Sequence, residues 1–109
     1  MKMSSFSENG TIIVEINNIR IDASNAQEFK EEVFHLIKNQ DSIIDFKNLE
    51  FIDSSGLSAL VYLHKQAANN NVDLKLANLS NKIMDIMKTT GLTQILQIYP
   101  DMESAKKDM

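Results

Sequence analysis

The sequence has no cysteine and contains only three glycines and one proline among 109 residues. Without cysteine it forms no disulfide and offers no thiolate for zinc or redox chemistry. The glycines stand at positions 10, 56 and 91, and the phosphate-binding loops of nucleotide enzymes need several glycines within one turn. The sequence therefore excludes thiol chemistry and carries neither common glycine-rich nucleotide loop.

Long apolar runs and an excess of positive charge are also missing. The apolar runs are a few residues long, against about 20 for a bilayer span, and the first ten residues lack a signal-peptide core. The formal net charge is −4, from 15 acidic and 11 basic residues, whereas nucleic-acid binders concentrate basic residues. We expect a single domain, residues 1–109, that is cytoplasmic and binds neither membrane nor nucleic acid.

Strand and helix patterns alternate along the chain. Four strands are predicted, at Thr11–Ile16, Ser42–Phe46, Val72–Leu76 and Ile95–Tyr99, with a weaker partner in the first ten residues. Helical spacing predicts helices over 22–40, 55–69 and 80–90 and a terminal turn over 102–107. The apolar face of the second helix is predicted to hold Leu57, Leu60, Val61, His64 and Ala68. This alternation is typical of an α/β fold with a largely parallel or mixed sheet under packed helices.

The most informative segment is Asp53-Ser54-Ser55-Gly56, which follows the short apolar run Leu49–Ile52 and opens the second helix. Functional residues of open α/β sheets gather at the carboxyl ends of the strands. A helix N-terminus has unpaired N–H groups and a positive dipole end, and it therefore accepts a capping side chain or a phosphate. The segment predicts a helix cap, a phosphorylation site, or both.

An enzymatic serine is disfavoured because a nucleophilic serine needs a positioned base. The two histidines, His35 and His64, both fall inside predicted helices, where a solvated and a partly buried side chain are expected. The G-x-S-x-G turn of serine hydrolases is absent. The carboxylates are scattered over helix faces. The sequence therefore predicts no catalytic residue, no metal site and no cofactor.

Several segments together match the pattern of a known family. The most specific is DF followed by LEFIDSSGL, at 45–46 and 49–57. The others are Ile21-Asp22-Ala23, the run 74–80, and Thr90-Gly91-Leu92. With these segments the chain resembles the STAS-domain anti-sigma factor antagonists. The resemblance covers most of the chain. It implies a mixed sheet of four to five strands flanked by about four helices.

The resemblance also implies a non-catalytic switch protein. Members of this family bind an ATP-dependent anti-sigma serine kinase while unphosphorylated, and the kinase then releases a sigma factor. Phosphorylation of a serine by that kinase ends the binding, and a PP2C-type phosphatase restores it. In this chain the acceptor is expected to be Ser55, with Ser54 as the alternate, and the helix-start amides are expected to accommodate the phosphate.

The partner surface implied by the resemblance comprises Asp22, Asp53, Ser54, Ser55, Gly56, Leu57 and Ser58. For Asp53, capping the helix and orienting the serine hydroxyl are both open. For Asp22, partner contact and an N-cap role are both open.

The chain departs from the family pattern at two positions. Ile19 and Ser58 replace glycines that many relatives have there. A STAS scaffold or transporter-accessory domain, in which the serines only cap the helix, is the alternative function, and a small serine-dependent enzyme is the third.

Overall fold

The computed structural model describes all residues, 1–109. It has seven strands, four α-helices and a short 3-10 helix at Leu92–Gln94. The strands are β1 Met3–Glu8, β2 Thr11–Ile16, β3 Arg20–Ile21, β4 Ser42–Asp45, β5 Phe51–Ile52, β6 Leu74–Ala77 and β7 Gln97–Tyr99. The helices are α1 Ala26–Ile37, α2 Ser54–Asn69, α3 Asn81–Thr89 and α4 Met102–Lys107.

Five strands form the main sheet, in the order β1-β2-β4-β6-β7. Only β1 runs antiparallel to its neighbour, and the other pairs are parallel. The β1–β2 hairpin turns through Asn9 and Gly10, both at positive φ, which is the geometry that matches the twist of paired strands. The expected mixed sheet of four to five strands with four helices is confirmed.

The helices α1, α2 and α3 cover one face of this sheet. The core between them is a cluster of 21 buried residues that includes Val14, Phe29, Ile44, Leu63 and Ile83. The opposite face carries only α4, which packs through Ala105 against a small cluster with Ile13, Ile43 and Ala77. No helix combines the length and the apolar character needed to cross a membrane.

A second, two-stranded sheet is formed by β3 and β5. These strands are parallel, with Arg20 opposite Phe51 and Ile21 opposite Ile52. The sequence patterns did not predict β3, because a two-residue strand shows no alternation to recognise. This small sheet positions the candidate site.

Local predictions were wrong at the start of α1, in the core of α2 and before β7. The first helix begins at Ala26 and not at Asp22, because a turn occupies the residues between them. Ala68 is exposed, and Ala67 takes its place in the core. Ile95 belongs to no strand and is 51% exposed, because the 3-10 helix precedes β7.

Candidate functional site

The site is assembled where β3 and β5 end side by side. Because the two strands are parallel and Ile21 pairs with Ile52, the residues that follow them leave from the same edge. Those residues are Asp22 and Asp53. The structure thus brings together the two segments that the sequence selected separately.

The Asp53 carboxylate caps α2 and also links it to the turn before α1. One oxygen, Oδ1, accepts hydrogen bonds from the backbone N–H groups of Ser55 at 2.9 Å and Gly56 at 3.1 Å. The other, Oδ2, accepts from the N–H of Ala23 at 3.1 Å. Of the two roles left open for Asp53, the geometry shows helix capping.

Gly56 allows the first turn of α2 to lie directly on the small sheet. A Cβ at this buried position would be 2.5 Å from Cγ1 of Ile52 and 3.0 Å from Cγ2 of Ile21. Real Cβ atoms do not approach that closely, and the glycine is therefore required by the packing within this chain.

Asp22 organises the turn that leads to α1. Its Oδ1 accepts hydrogen bonds from the hydroxyl of Ser24 at 2.5 Å and from its N–H at 3.0 Å, and Oδ2 accepts from Nε of Arg20 at 3.4 Å. The Ser24 hydroxyl, its N–H and Arg20 hold the pKa of the Asp22 carboxyl below its usual value. The N-cap of α1 is Asn25, and an N-cap role for Asp22 is therefore wrong.

The three hydroxyls near the start of α2 differ in their surroundings. Ser54 and Ser58 are exposed, and Ser55 is half-buried. Ser55 and Ser58 line a shallow groove of about 250 Å³ between α1 and α2. We call it the serine groove, and its other walls are Ala23, Gln27 and Lys30 with two buried alanines. Ser54 does not line it.

A second groove lies farther along the same pair of helices and is lined by Gln27, Lys30, Glu31, Phe34, His35 and Tyr62. We call it the aromatic groove, and its volume is about 370 Å³. The rings of Phe34 and Tyr62 lie 6.3 Å apart, and Nζ of Lys30 stands 4.8 Å from the centre of the Tyr62 ring. Because Lys30 lines both grooves, the two are neighbours.

Sequence reasoning missed Ala23 and Lys30 as residues of this site. The signal that could have found Lys30 is its helical spacing from Gln27 and Phe34, which places all three on one side of α1. Ala23 contributes its backbone N–H to Asp53 and has no side-chain signal. The two departures from the family pattern, Ile19 and Ser58, are both exposed.

Neither histidine is arranged as a base for the serines. His35 is exposed on α1 and lines the aromatic groove without Ser54 or Ser55. His64 is half-buried on α2, about two turns from the serines. No group of three or more His, Cys, Asp or Glu side chains is arranged to hold a metal ion. The site offers hydroxyls, capped backbone and one lysine.

Comparison with known proteins assigns the family. The model of the STAS domain matches residues 6–105. The chain belongs to the STAS domain family. The anti-sigma-B factor antagonist of Bacillus subtilis (strain 168) is 32% identical over 84 residues, which cover 76% of this chain and 77% of that protein. A STAS-domain containing protein of Pseudomonas aeruginosa (strain UCBPP-PA14) is 30% identical over 56 residues, 51% of this chain and about half (55%) of that relative.

Solved structures of other proteins share the fold. An anti-sigma factor antagonist from Mycobacterium paratuberculosis superposes with a TM-score of 0.87 at 17% identity, covering 98% of this chain and 92% of that one. The phosphorylated form of the Bacillus cell fate determinant SpoIIAA gives a TM-score of 0.69 at 15% identity, with 99% and 100% covered. At such identities the likeness concerns the fold alone, and the sequence match to the Bacillus subtilis antagonist carries the relation to anti-sigma factor antagonists.

Proposed function

We propose that this chain is a phosphorylation-controlled anti-sigma factor antagonist. As one cytoplasmic, non-catalytic STAS domain of a bacterial cell, its unphosphorylated form binds an anti-sigma serine kinase and causes release of a sigma factor. The observation that carries the proposal is the Asp53 cap, which fixes two serines at the surface beside the Asp22 turn. The relation to the Bacillus subtilis antagonist supports the class of partner.

The proposed modification is transfer of the γ-phosphoryl group of ATP to the hydroxyl of Ser55, with Ser54 as the alternate acceptor. The Ser55 Oγ–P bond forms, the bond between the β- and γ-phosphates breaks, ADP leaves, and a base of the kinase takes the hydroxyl proton. A PP2C-type phosphatase reverses the change by hydrolysis. Ser55 is favoured because it lines the serine groove, whereas Ser54 does not.

Phosphorylation is proposed to end binding by charge. It adds about −1.5 to −2 to a protein whose formal charge is already −4, next to the carboxylates of Asp22 and Asp53. A partner then has to desolvate the dianion or place its own acidic groups nearby. Because the site is at the surface, the fold persists in both forms.

The partner surface is proposed to centre on the accessible members of the set selected from the sequence. Ser54 and Ser58 are exposed, and Ser55 and Asp22 are partly exposed. Gly56 is buried and Leu57 is half-buried against the core, so that their contribution is to shape the first turn of α2. The exposed side chain of Ile19, on the approach to β3, extends this surface with an apolar contact.

The proposal is tested by incubating the protein with ATP and the anti-sigma kinase encoded nearest its gene. Fragment masses are expected to show one phosphate on Ser55. The change Ser55→Ala abolishes it, whereas Ser80→Ala, at the exposed N-cap of α3, leaves it in place. Ser55→Ala is expected to bind the kinase constitutively, and Ser55→Asp to bind it more weakly. Equal kinase affinity of wild type and Ser55→Asp would contradict the charge mechanism. Absence of any phosphate with every anti-sigma kinase of the cell would favour the scaffold function.

A further inference from the structure

The capping geometry leaves a phosphate on Ser55 with few of the amides expected to hold it. The N–H groups of Ser55 and Gly56 already donate to Asp53 Oδ1, and the N–H of Leu57 donates to the backbone carbonyl of Asp53 at 3.0 Å. A dianion at this point therefore faces the Asp53 carboxylate and a helix terminus at which only the Ser54 N–H has no acceptor. A side-chain cation is the partner that can supply the missing positive charge.

Lys30 is the cation placed for this role. It is the only lysine or arginine that lines the serine groove together with Ser55. No carboxylate lies within 4 Å of its Nζ, and the neighbouring Glu31 accepts from the side-chain amide of Gln27 at 2.8 Å. Its positive charge is held by the face of the Tyr62 ring alone.

The other cation near the site is already engaged. Arg20 pairs with Asp22 at 3.4 Å, and its guanidinium carbon lies 4.2 Å from the centre of the Phe51 ring. A contact of Arg20 with a phosphate would break its pair with Asp22 and its contact with the Phe51 ring. Lys30 can move without breaking any hydrogen bond or ion pair in the structure.

The span between the two possible positions of the lysine charge is short. Ser55 and Tyr62 are seven residues apart on α2, about 10 Å along the helix axis. Lys30 lies between them, because it lines the serine groove at one end and the aromatic groove at the other. Its flexible four-carbon stem allows the ammonium group to turn from one groove to the other.

We propose that Lys30 is a phosphate-responsive residue: on phosphorylation of Ser55 its ammonium group leaves the Tyr62 ring and pairs with the phosphate. This inference rests on the proposed function. The movement of Lys30 carries the effect of phosphorylation from the start of α2 to the aromatic groove, where the Tyr62 ring and the neighbouring Phe34 become more exposed. A partner that contacts α1 and α2 would meet an altered surface in both grooves.

The test uses full-length protein with phosphoserine incorporated at position 55 during translation, so that no kinase is needed. Phosphorus NMR titration measures the second pKa of the phosphate in wild type, in Lys30→Gln and in Lys107→Gln. Lys107 is an exposed lysine on α4, across the sheet, and provides the matched change of charge. We expect the phosphate pKa to be higher in Lys30→Gln by about half a unit or more, because a nearby ammonium favours the dianion.

The movement of the Lys30 ammonium group away from the Tyr62 ring is measured on the same samples. Nζ of Lys30 lies over the Tyr62 ring in the unphosphorylated protein, and we therefore expect the methylene protons next to it to be shifted upfield by the ring current. With phosphoserine at 55 we expect them to move back toward the values of a free lysine. An unchanged phosphate pKa in Lys30→Gln, or unchanged Lys30 proton shifts, would overturn the inference. A failure of the kinase reaction would instead overturn the proposed function and leave these two results as they are.

Discussion

The helices α2 and α3 both begin with a capping side chain that follows a strand, but the two caps differ in how many N–H groups they bind and how distant these are in the chain. At the start of α3 the Ser80 hydroxyl accepts one hydrogen bond, from the N–H of Ile83 at 3.3 Å. At the start of α2 the Asp53 carboxylate accepts three, one of them from Ala23, 30 residues earlier in the chain. The cap of α3 is local, whereas the cap of α2 is also a tertiary contact.

This difference shows how an ordinary capping residue can build a site. A local cap stabilises its own helix by about 1 kcal/mol and leaves the rest of the fold unaffected. The Asp53 cap in addition fixes the turn at Ala23 against the start of α2, and Gly56 lets the start of α2 lie on the small sheet. A change at this junction is therefore expected to alter stability and partner surface together.

The largest effect is expected from Gly56→Val. The new side chain cannot be placed without moving Ile52 and Ile21, and overpacking of this kind costs about 1–3 kcal/mol or more. We expect a lower urea midpoint in equilibrium unfolding. As a control, Lys82→Val puts the same side chain at an exposed position in the first turn of α3 and should cost a few tenths of a kcal/mol. Equal midpoints for the two variants would show that the small sheet yields easily to a larger side chain.

The next effect is expected from Asp53→Ala, which removes the acceptor of all three hydrogen bonds. Loss of an N-cap costs about 0.5–2 kcal/mol, and we expect the upper end here, against about 0.5–1 kcal/mol for Ser80→Ala. The free energy of unfolding measured by urea titration compares the two. Similar losses would mean that the contact with Ala23 adds nothing to the cap.

The variant Asp53→Asn separates the two parts of the cap, which are the contacts with the start of α2 and the contact with Ala23. The amide oxygen can still accept from Ser55 and Gly56, but the NH₂ group cannot accept from Ala23. We expect a loss of about 1 kcal/mol. Hydrogen exchange should be faster at the Ala23 amide and unchanged at Gly56. Protection retained at Ala23 would contradict the assignment of Oδ2 to that contact.

The smallest effect is expected on the pKa of Asp22 and on the pH dependence of stability that follows from it. The pKa of Asp22 is below its ordinary value chiefly because the Ser24 hydroxyl donates to the carboxylate. A group whose pKa is lowered by folding stabilises the fold above its unfolded pKa, and that contribution is lost as the pH falls through the folded pKa. NMR titration should show the Asp22 pKa rising toward its usual value in Ser24→Ala. Asp101, whose pKa is lowered by Ser104, serves as the control and should not change.

Much of the fold was predictable because its elements carry strong local signals. The four main strands are rich in apolar residues, and the core positions of α1, Phe29, Val33 and Ile37 among them, recur at helical spacing. The turn at Asn9-Gly10 was recognisable from residue type, and the strand before it pairs over its whole length. The sequence predicted that strand only weakly, because its residues are mostly exposed and few apolar side chains mark it.

The site was predictable only in part, because its decisive contacts join distant segments. The sequence selected Asp53 and the serines from the strand-to-helix transition, and Asp22 from the family resemblance. It gave no sign that Asp53 contacts Ala23, since the donor is a backbone N–H. The expectation that the helix-start amides accommodate a phosphate stays a prediction, and in the unphosphorylated protein those of Ser55 and Gly56 are occupied by their own cap.

The second face of the main sheet is covered only by α4, and this affects how the protein self-associates on storage or warming. The helix α4 has six residues and buries only Ala105, and its outer anchors are the Lys106–Glu8 ion pair and the Tyr99–Asp108 hydrogen bond. So short a helix is expected to undock before the remainder of the fold unfolds. The surface then uncovered contains Ile13 and Ile43, and self-association is therefore expected to start on the face opposite the serines.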